Sequence, residues 1–307
     1  MSAEVQVNLR LPIELKERIH NEARKNNRSL NAELGDRLQK SFVGLDDAHF
    51  DILDKLEELI TRHQASSRTK NIGDKLNSLL GELSHIPSAP YLTPALIAHD
   101  LGFDRASMVE KWFQGRLEPT FAQLDMLAHF LGASPEWLSF DIGACYPTLC
   151  APSMFSAESF VEFCFTPEES FNDVEQVLFI RNNSEAGEVL IIKQYSVRQA
   201  RVFDTNIHLS HVVGVTGTRD QAEFVAALKN IKQSDKKLKT ISYLISPDKY
   251  EKLIRGGEHP LKVIGREPVS YWADDIWDKQ MYLQQKDNEY WQGWKDLCIA
   301  IDTYKGR

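Results

Sequence analysis

Gln6, Asn8 and Arg10 stand two residues apart in the stretch VQVNLRL (5–11), whose alternate positions are Val5, Val7, Leu9 and Leu11. Strict alternation predicts a half-buried strand with the three polar side chains on one face. Arg can donate a pair of hydrogen bonds to guanine, and Gln or Asn can exchange a pair with adenine. The row therefore has the chemistry of base readout in double-stranded DNA. A lone seven-residue strand has no partner in its own part of the chain. Pairing with a second copy gives an antiparallel two-stranded ribbon of a width that fits the major groove, and makes this module a homodimer.

The elements that must position this row follow at once. Pro12 ends the strand and can open a helix. IELKERIHNEARKN (13–26) places Ile13, Leu15, Ile19 and Ala23 on one helical face, with charges opposite. Asn26 and Asn27 break it. Ser29 is an N-cap, and a second helix carries Leu30, Leu34, Leu38 and Phe42 at helical spacing. Ser29, Leu30 and Asn31 offer the free backbone N–H groups of that helix start to a DNA phosphate. Residues 5–42 resemble the Arc/Mnt repressors without a gap: the Asn-Leu-Arg strand, the Pro, the Arg-Ser-x-Asn helix start and the closing Ser-Phe all correspond. The resemblance implies a ribbon-helix-helix fold, one strand and two helices per chain, in which Gln6, Asn8 and Arg10 read bases. It also implies a buried structural cluster at Arg28, Glu33 and Arg37. Ribbon-helix-helix modules also serve antitoxins, so DNA binding leaves the biological role open.

The rest of the chain bounds this reading. With 307 residues, 42% hydrophobic and 26% charged, the sequence predicts a multidomain globular protein. No apolar run approaches a membrane span and the N-terminus lacks a signal-peptide core, which predicts a cytoplasmic protein without a membrane partner. Cys145, Cys150, Cys164 and Cys298 lack metal-ligand spacing and read as free thiols; no metal site and no cofactor are expected. The net charge of −8 is uneven: residues 1–44 hold eight Lys/Arg against six Asp/Glu, whereas 71–145 hold four against nine. Positive charge sits where a phosphate-binding surface needs it.

Four segments are expected: the module at 1–44, a connector at 45–71, a helical domain at 72–143 and an α/β domain at 144–307. In the connector Leu45, Ile52 and Leu59 repeat by seven, with His49, Leu56 and His63 offset by four. This fits a coiled extension of the dimer or an amphipathic helix packed on a neighbouring domain. The polar stretch 64–71 reads as a linker. Residues 72–140 then read as five short helices, with Thr93 and Asp104 as caps and a turn at Gly102-Phe103. Thr93 to Leu138 resembles the Cro-like phage-repressor family at Leu96, Ala98, Leu101, Gly102, Val109, Trp112, Gly115, Pro119, Leu127-Ala128 and Leu131-Gly132. That resemblance implies a helix-turn-helix whose third helix offers Arg105, Ala106, Ser107 and Lys111 to a second DNA site. Pro94 stands where the family usually has Gln, and Asp104 and Glu110 flank the groove-facing positions. Dimerisation or partner binding is the alternative, and Trp112 and Phe113 are expected in the core.

Strands are expected at 160–165, 177–181, 188–195, 211–217 and 240–245, and helices at 219–231, 247–254 and 277–301. Gly214 and Gly217 lack the Lys of a P-loop and read as a tight strand-to-helix turn. Asp204, Asp220 and Glu223 show no metal spacing, and His208 and His211 read as surface or packed residues. Tyr271, Trp272, Trp277, Tyr282, Tyr290, Trp291 and Trp294 could line a ligand pocket or interface, or form the core of a terminal helix. The whole reads as a DNA-binding transcription repressor with a C-terminal sensing or assembly domain, and no catalytic constellation is legible. The alternatives are an effector enzyme targeted or autoregulated through DNA, and a toxin-neutralising partner, with the activity in the α/β domain and an unknown protein or small molecule bound there.

Overall fold

The computed structural model describes residues 11–41, 66–87, 89–153, 156–169, 171–211, 215–234, 238–284 and 289–304. The chain divides into two compact units, Met1–Ala65 and Ser66–Arg307. Within the first, α1 (Ile13–Lys25) ends at Asn26, and Asn27 turns through the left-handed region at φ 50°. Asn tolerates that conformation better than most residues, so the chain reverses there. Helix α2 follows over 30–41. Ile19 and Ala23 are buried between them, as the helical periodicity requires. The strand expected at 5–11 lies outside the described residues but for Leu11, and so does the heptad stretch 45–63.

The second unit opens with a helical layer: α3 (Ser67–Ser84), α4 (Pro94–Asp100), α5 (Ser107–Phe113), α6 (Phe121–Leu131) and α7 (Pro135–Phe140). Five helices stand where five are expected, but α3 starts inside the expected linker, with Ser66 accepting the N–H of Thr69 at its start. After it come β1 (Thr148–Cys150), α8 (Ala157–Phe165), β2 (Gln176–Asn182), β3 (Glu188–Gln194), β4 (Ala200–His208), α9 (Val215–Gln233) and β5 (Lys239–Ile245). The remaining helices are α10 (Pro247–Arg255), α11 (Pro260–Ile264), α12 (Trp272–Asp275), α13 (Lys279–Gln284) and α14 (Trp294–Thr303). The strands form one mixed sheet in the order β1-β4-β3-β2-β5. β1 runs parallel to β4 and β2 parallel to β5, while β3 is antiparallel to both neighbours.

Side chains alternate across the sheet and feed two cores. Leu178, Ile180, Leu190, Ile192, Ala200, Val202 and Ile245 pack with α3–α7, α10 and α11. Val177, Phe179, Val189, Ile191, Phe203 and Ile207 pack with α8, α9 and the C-terminal helices. Helices therefore cover both faces, which is why β2 and β3 read as unbroken apolar runs.

Several expectations are corrected. The division at 143/144 does not separate two cores, because the helical layer and one sheet face share a single apolar cluster. Residues 160–165 are helical, because Ser156 and Ser159 form a capping box and Phe160, Phe163 and Cys164 are buried at helical spacing. Strand β4 replaces the strand expected at 211–217, where residues 215–217 open α9 and 212–214 lie outside the described residues. The helix expected at 277–301 is instead two, α13 and α14. Gly293 sits at φ 81° before α14, and a Cβ there would lie 2.3 Å from Nδ1 of His211. Asp104 caps nothing, since α5 begins from Ala106 without a side-chain cap. Among the described residues no helix is long and apolar enough to cross a membrane.

Candidate nucleic-acid interface

Three groups of sequence-predicted site residues belong to the first unit. Gln6, Asn8 and Arg10 lie outside the described residues. The helix start that should hold a phosphate is formed: Ser29 Oγ accepts the N–H of Ala32 at 3.2 Å, the N-cap geometry expected of it. Asn31 is exposed and Leu30 half-buried. The first-turn N–H groups of such a helix point away from its own carbonyls, and its dipole favours an anion there.

The structural cluster is assembled differently from the implied triad. Glu33 is only 2% exposed. Its carboxylate accepts from Arg37 Nε at 2.9 Å and from Asn26 Nδ2 at 3.1 and 3.3 Å. Arg37 Nη2 reaches back to Glu22 at 3.6 Å, tying α2 to α1. Arg28 instead pairs with Asp36 at 2.9 Å, and Lys40 takes the same carboxylate oxygen at 2.9 Å. The hydrogen bond from Arg37, and then that from Asn26, hold the Glu33 carboxyl below its ordinary pKa of 4.5. From the sequence Asn26 reads only as a helix breaker, and Asp36 was not singled out. The i,i+4 spacing of Asp36 and Lys40 was the available signal for Asp36.

The single hairpin leaves apolar surface uncovered. Ile13 is 77% exposed, Leu38 50% and Leu15 41%. Ile19 and Ala23 turn inward from the same helix, so α1 and α2 by themselves cover only part of their apolar faces.

The second candidate lies in the helical layer. Thr93 Oγ1 accepts the N–H of Leu96 at 3.1 Å and starts α4, and Gly102 at φ 77° makes the turn. Val109, Trp112 and Phe113 of α5 are buried, and Phe103 meets Trp112 edge-on at 5.5 Å, so the two aromatics expected in the core are there. Arg105, Ser107 and Lys111 are exposed and Ala106 is half-buried. Asp104 and Glu110 are exposed among them, so the face is close to neutral.

The remaining sequence candidates have local roles. Glu223 Oε2 accepts the N–H of Ala157 at the start of α8, at 2.8 Å, and Asp204 Oδ1 accepts that of Asn206 at 3.3 Å. His208 and His211 are exposed, and Asp220 is half-buried beside Arg219. Trp272, Tyr282, Trp291 and Trp294 are buried in the second core, which favours the core reading of the aromatic tail. The four cysteines are free, and only Cys150 is exposed.

With that geometry described, the comparisons bear on one region. Residues 1–44 match the family model of the Arc-like DNA binding domain. No curated protein and no solved structure matches the chain.

Proposed function

We propose that, with an Arc-like DNA-binding domain at its start, the chain is a homodimeric, sequence-specific transcription repressor of the cytoplasm. Two copies of residues 5–11 pair as a β-ribbon and lay Gln6, Asn8 and Arg10 along base edges of the major groove. The observation that carries this reading is the family match at residues 1–44. The exposed Ile13, Leu15 and Leu38 support it, because a second copy is what such a face lacks. Ser29, Leu30 and Asn31 at the start of α2 hold a backbone phosphate and set the register of the ribbon.

Base readout is assigned to the ribbon alone. Asp104 and Glu110 stand beside Arg105 and Lys111, and the surrounding segment 71–145 is acidic, which opposes phosphate binding there. The Cro-like helical layer and the sheet act instead in sensing or assembly rather than catalysis. In support, two buried cations of the sheet are held by local partners: Arg181 donates to the Leu209 and Asn182 carbonyls, and Lys193 to that of Thr166 and to the Glu168 carboxylate.

The test is selection of bound DNA from a random pool with the full chain, followed by Arg10→Ala on the selected site. Arg10→Ala is expected to weaken specific binding by about 1–3 kcal/mol and to relax one base position. Unchanged affinity and unchanged base preference refute the ribbon.

A further inference from the structure

Most large apolar side chains of residues 66–304 are packed into the two cores, yet Phe121, Phe140 and Ile142 remain 57%, 55% and 63% exposed. They are close together. Phe121 opens α6 and Phe140 closes α7, and their rings stack with centroids 5.5 Å apart and 29° between planes. Asp141 adopts φ 59°, ends α7 and is followed by the exposed Ile142. Arg68, in the first turn of α3, lies over the Phe121 ring at 5.5 Å. Its guanidinium is held in place by Glu118 at 2.7 Å and by the Ser139 carbonyl at 2.9 Å.

Two stacked aromatic rings, one of them under a fixed guanidinium, with an exposed Ile two residues along the chain from the other, have the composition of an interface centre. In water the rings cost hydration free energy and the cation–π contact is weak. When a partner covers them, the apolar area is removed from water and the cation–π contact strengthens.

We propose that this patch pairs with the same patch of a second copy, so that the Ser66–Arg307 units of a dimer associate through an isologous contact. The proposal rests on the dimer read for residues 1–44. The occupant follows from where the chain enters. Arg68 stands at the third residue after the 24-residue stretch 42–65 that links α2 to α3. As a helix that stretch spans about 36 Å, and as a coil about 27 Å root-mean-square. A dimer made by the N-terminal module therefore keeps two patches within tens of ångströms, at an effective concentration on the order of millimolar. The patch borders the point of attachment, so the tether delivers it to its own copy before any more distant part of the surface.

The test uses the full chain with Cys150→Ser and Lys70→Cys, spin-labelled at the exposed position 70 beside the patch, the other cysteines being buried. Light scattering should give a dimer mass, and inter-label distances a single narrow peak. Phe121→Asp with Phe140→Asp, both at exposed positions, should keep the dimer mass and operator binding and lose the narrow peak. A dimer with broad distances before the double substitution, or a narrow peak that survives it, overturns the proposal and leaves the dimer reading intact. If, alongside broad distances, the double variant also opens 42–65 to trypsin, the occupant is the chain's own connector and the proposal fails. A monomer mass with no inter-label distance overturns both.

Discussion

His259 gives the second unit a built-in acid sensitivity whose size follows from its surroundings. The ring is fully buried between the helical layer and the sheet turn. Its Nδ1 accepts the N–H of Leu261 at 3.2 Å and caps α11, so the proton of the neutral ring is on Nε2, which donates to the Arg198 carbonyl at 3.0 Å. Tyr146 covers it edge-on at 4.9 Å. Burial drives its pKa from 6.5 down to about 4; the Arg201 charge acts the same way, and the Arg198 carbonyl and Glu82 oppose them. A proton on Nδ1 would face the Leu261 N–H, donor to donor. Because the folded pKa is the lower one, the unfolded chain takes up the proton first on acidification. The contribution is complete above 6.5 and is lost as pH falls through 6.5 towards 4. At about 1.4 kcal/mol per unit, the full loss is about 3 kcal/mol, of which about 2 kcal/mol falls between pH 7 and pH 5. All six tryptophans lie between residues 112 and 294, so tryptophan emission reports this unit and not the N-terminal module. In urea titrations at the two pH values, the natural chain should lose about 2 kcal/mol more than His259→Gln does. Equal losses would refute the assignment of His259 as a buried neutral cap.

Other perturbations separate the parts of the molecule. Gly132 closes α6 at φ 75°, and a Cβ there would meet the Arg198 carbonyl oxygen at 2.3 Å, so Gly132→Ala should cost about 1–3 kcal/mol in the same titration. Leu38→Glu, at a half-exposed site, should leave α1 and α2 helical by circular dichroism and abolish both the dimer mass and operator binding. A dimer that persists would place the interface elsewhere. Ser156→Ala removes one half of the α8 capping box and should cost about 1 kcal/mol, with the Glu223 carboxylate still on the Ala157 N–H.

The sequence shows the helices of both units most clearly where a cap precedes a run of period 3.6. Thr93 announces α4 and accepts the backbone N–H it should. β2 and β3 are legible because burial on both faces makes them near-continuous apolar runs; β5, half-buried at the sheet edge, shows as alternating Ile241, Tyr243 and Ile245. α8 was hidden because FVEFCF also reads as an apolar run unless the capping serines at 156 and 159 are counted. β4 was hidden by its own irregularity. Its register slips opposite Val189/Leu190, Asn206 turns at φ 55°, and Thr205 bonds the Val189 carbonyl, so the apolar alternation that betrays a strand is interrupted at Asp204–Asn206. In the candidate interface the Glu33–Arg37 pair was implied by the resemblance to the Arc/Mnt repressors. The exchange of Arg28 to Asp36 was not, because it depends on how α1 turns into α2.

The shared core changes what the helix-turn-helix resemblance can mean. A free-standing helical domain could rotate to meet DNA on its own terms, but here α6 is bound to the β3–β4 turn. Gln199 donates to the His129 carbonyl at 2.8 Å, Arg201 to that of Gly132 at 3.2 Å, and Arg198 lies over Phe130 at 4.2 Å. Lys262 of α11 grips Glu82 of α3 at 2.8 Å on the same side. Any DNA presented to α5 would therefore be presented to the whole Ser66–Arg307 unit. Residues 71–307 carry an excess of Asp and Glu, and the like-charge repulsion of such a body grows as salt is lowered. The attraction of a basic ribbon also grows as salt is lowered. The salt dependence of operator binding thus contains two opposed terms. The full chain should show a shallower slope than its count of phosphate contacts alone would give, and the difference measures how closely the acidic body is held to the DNA.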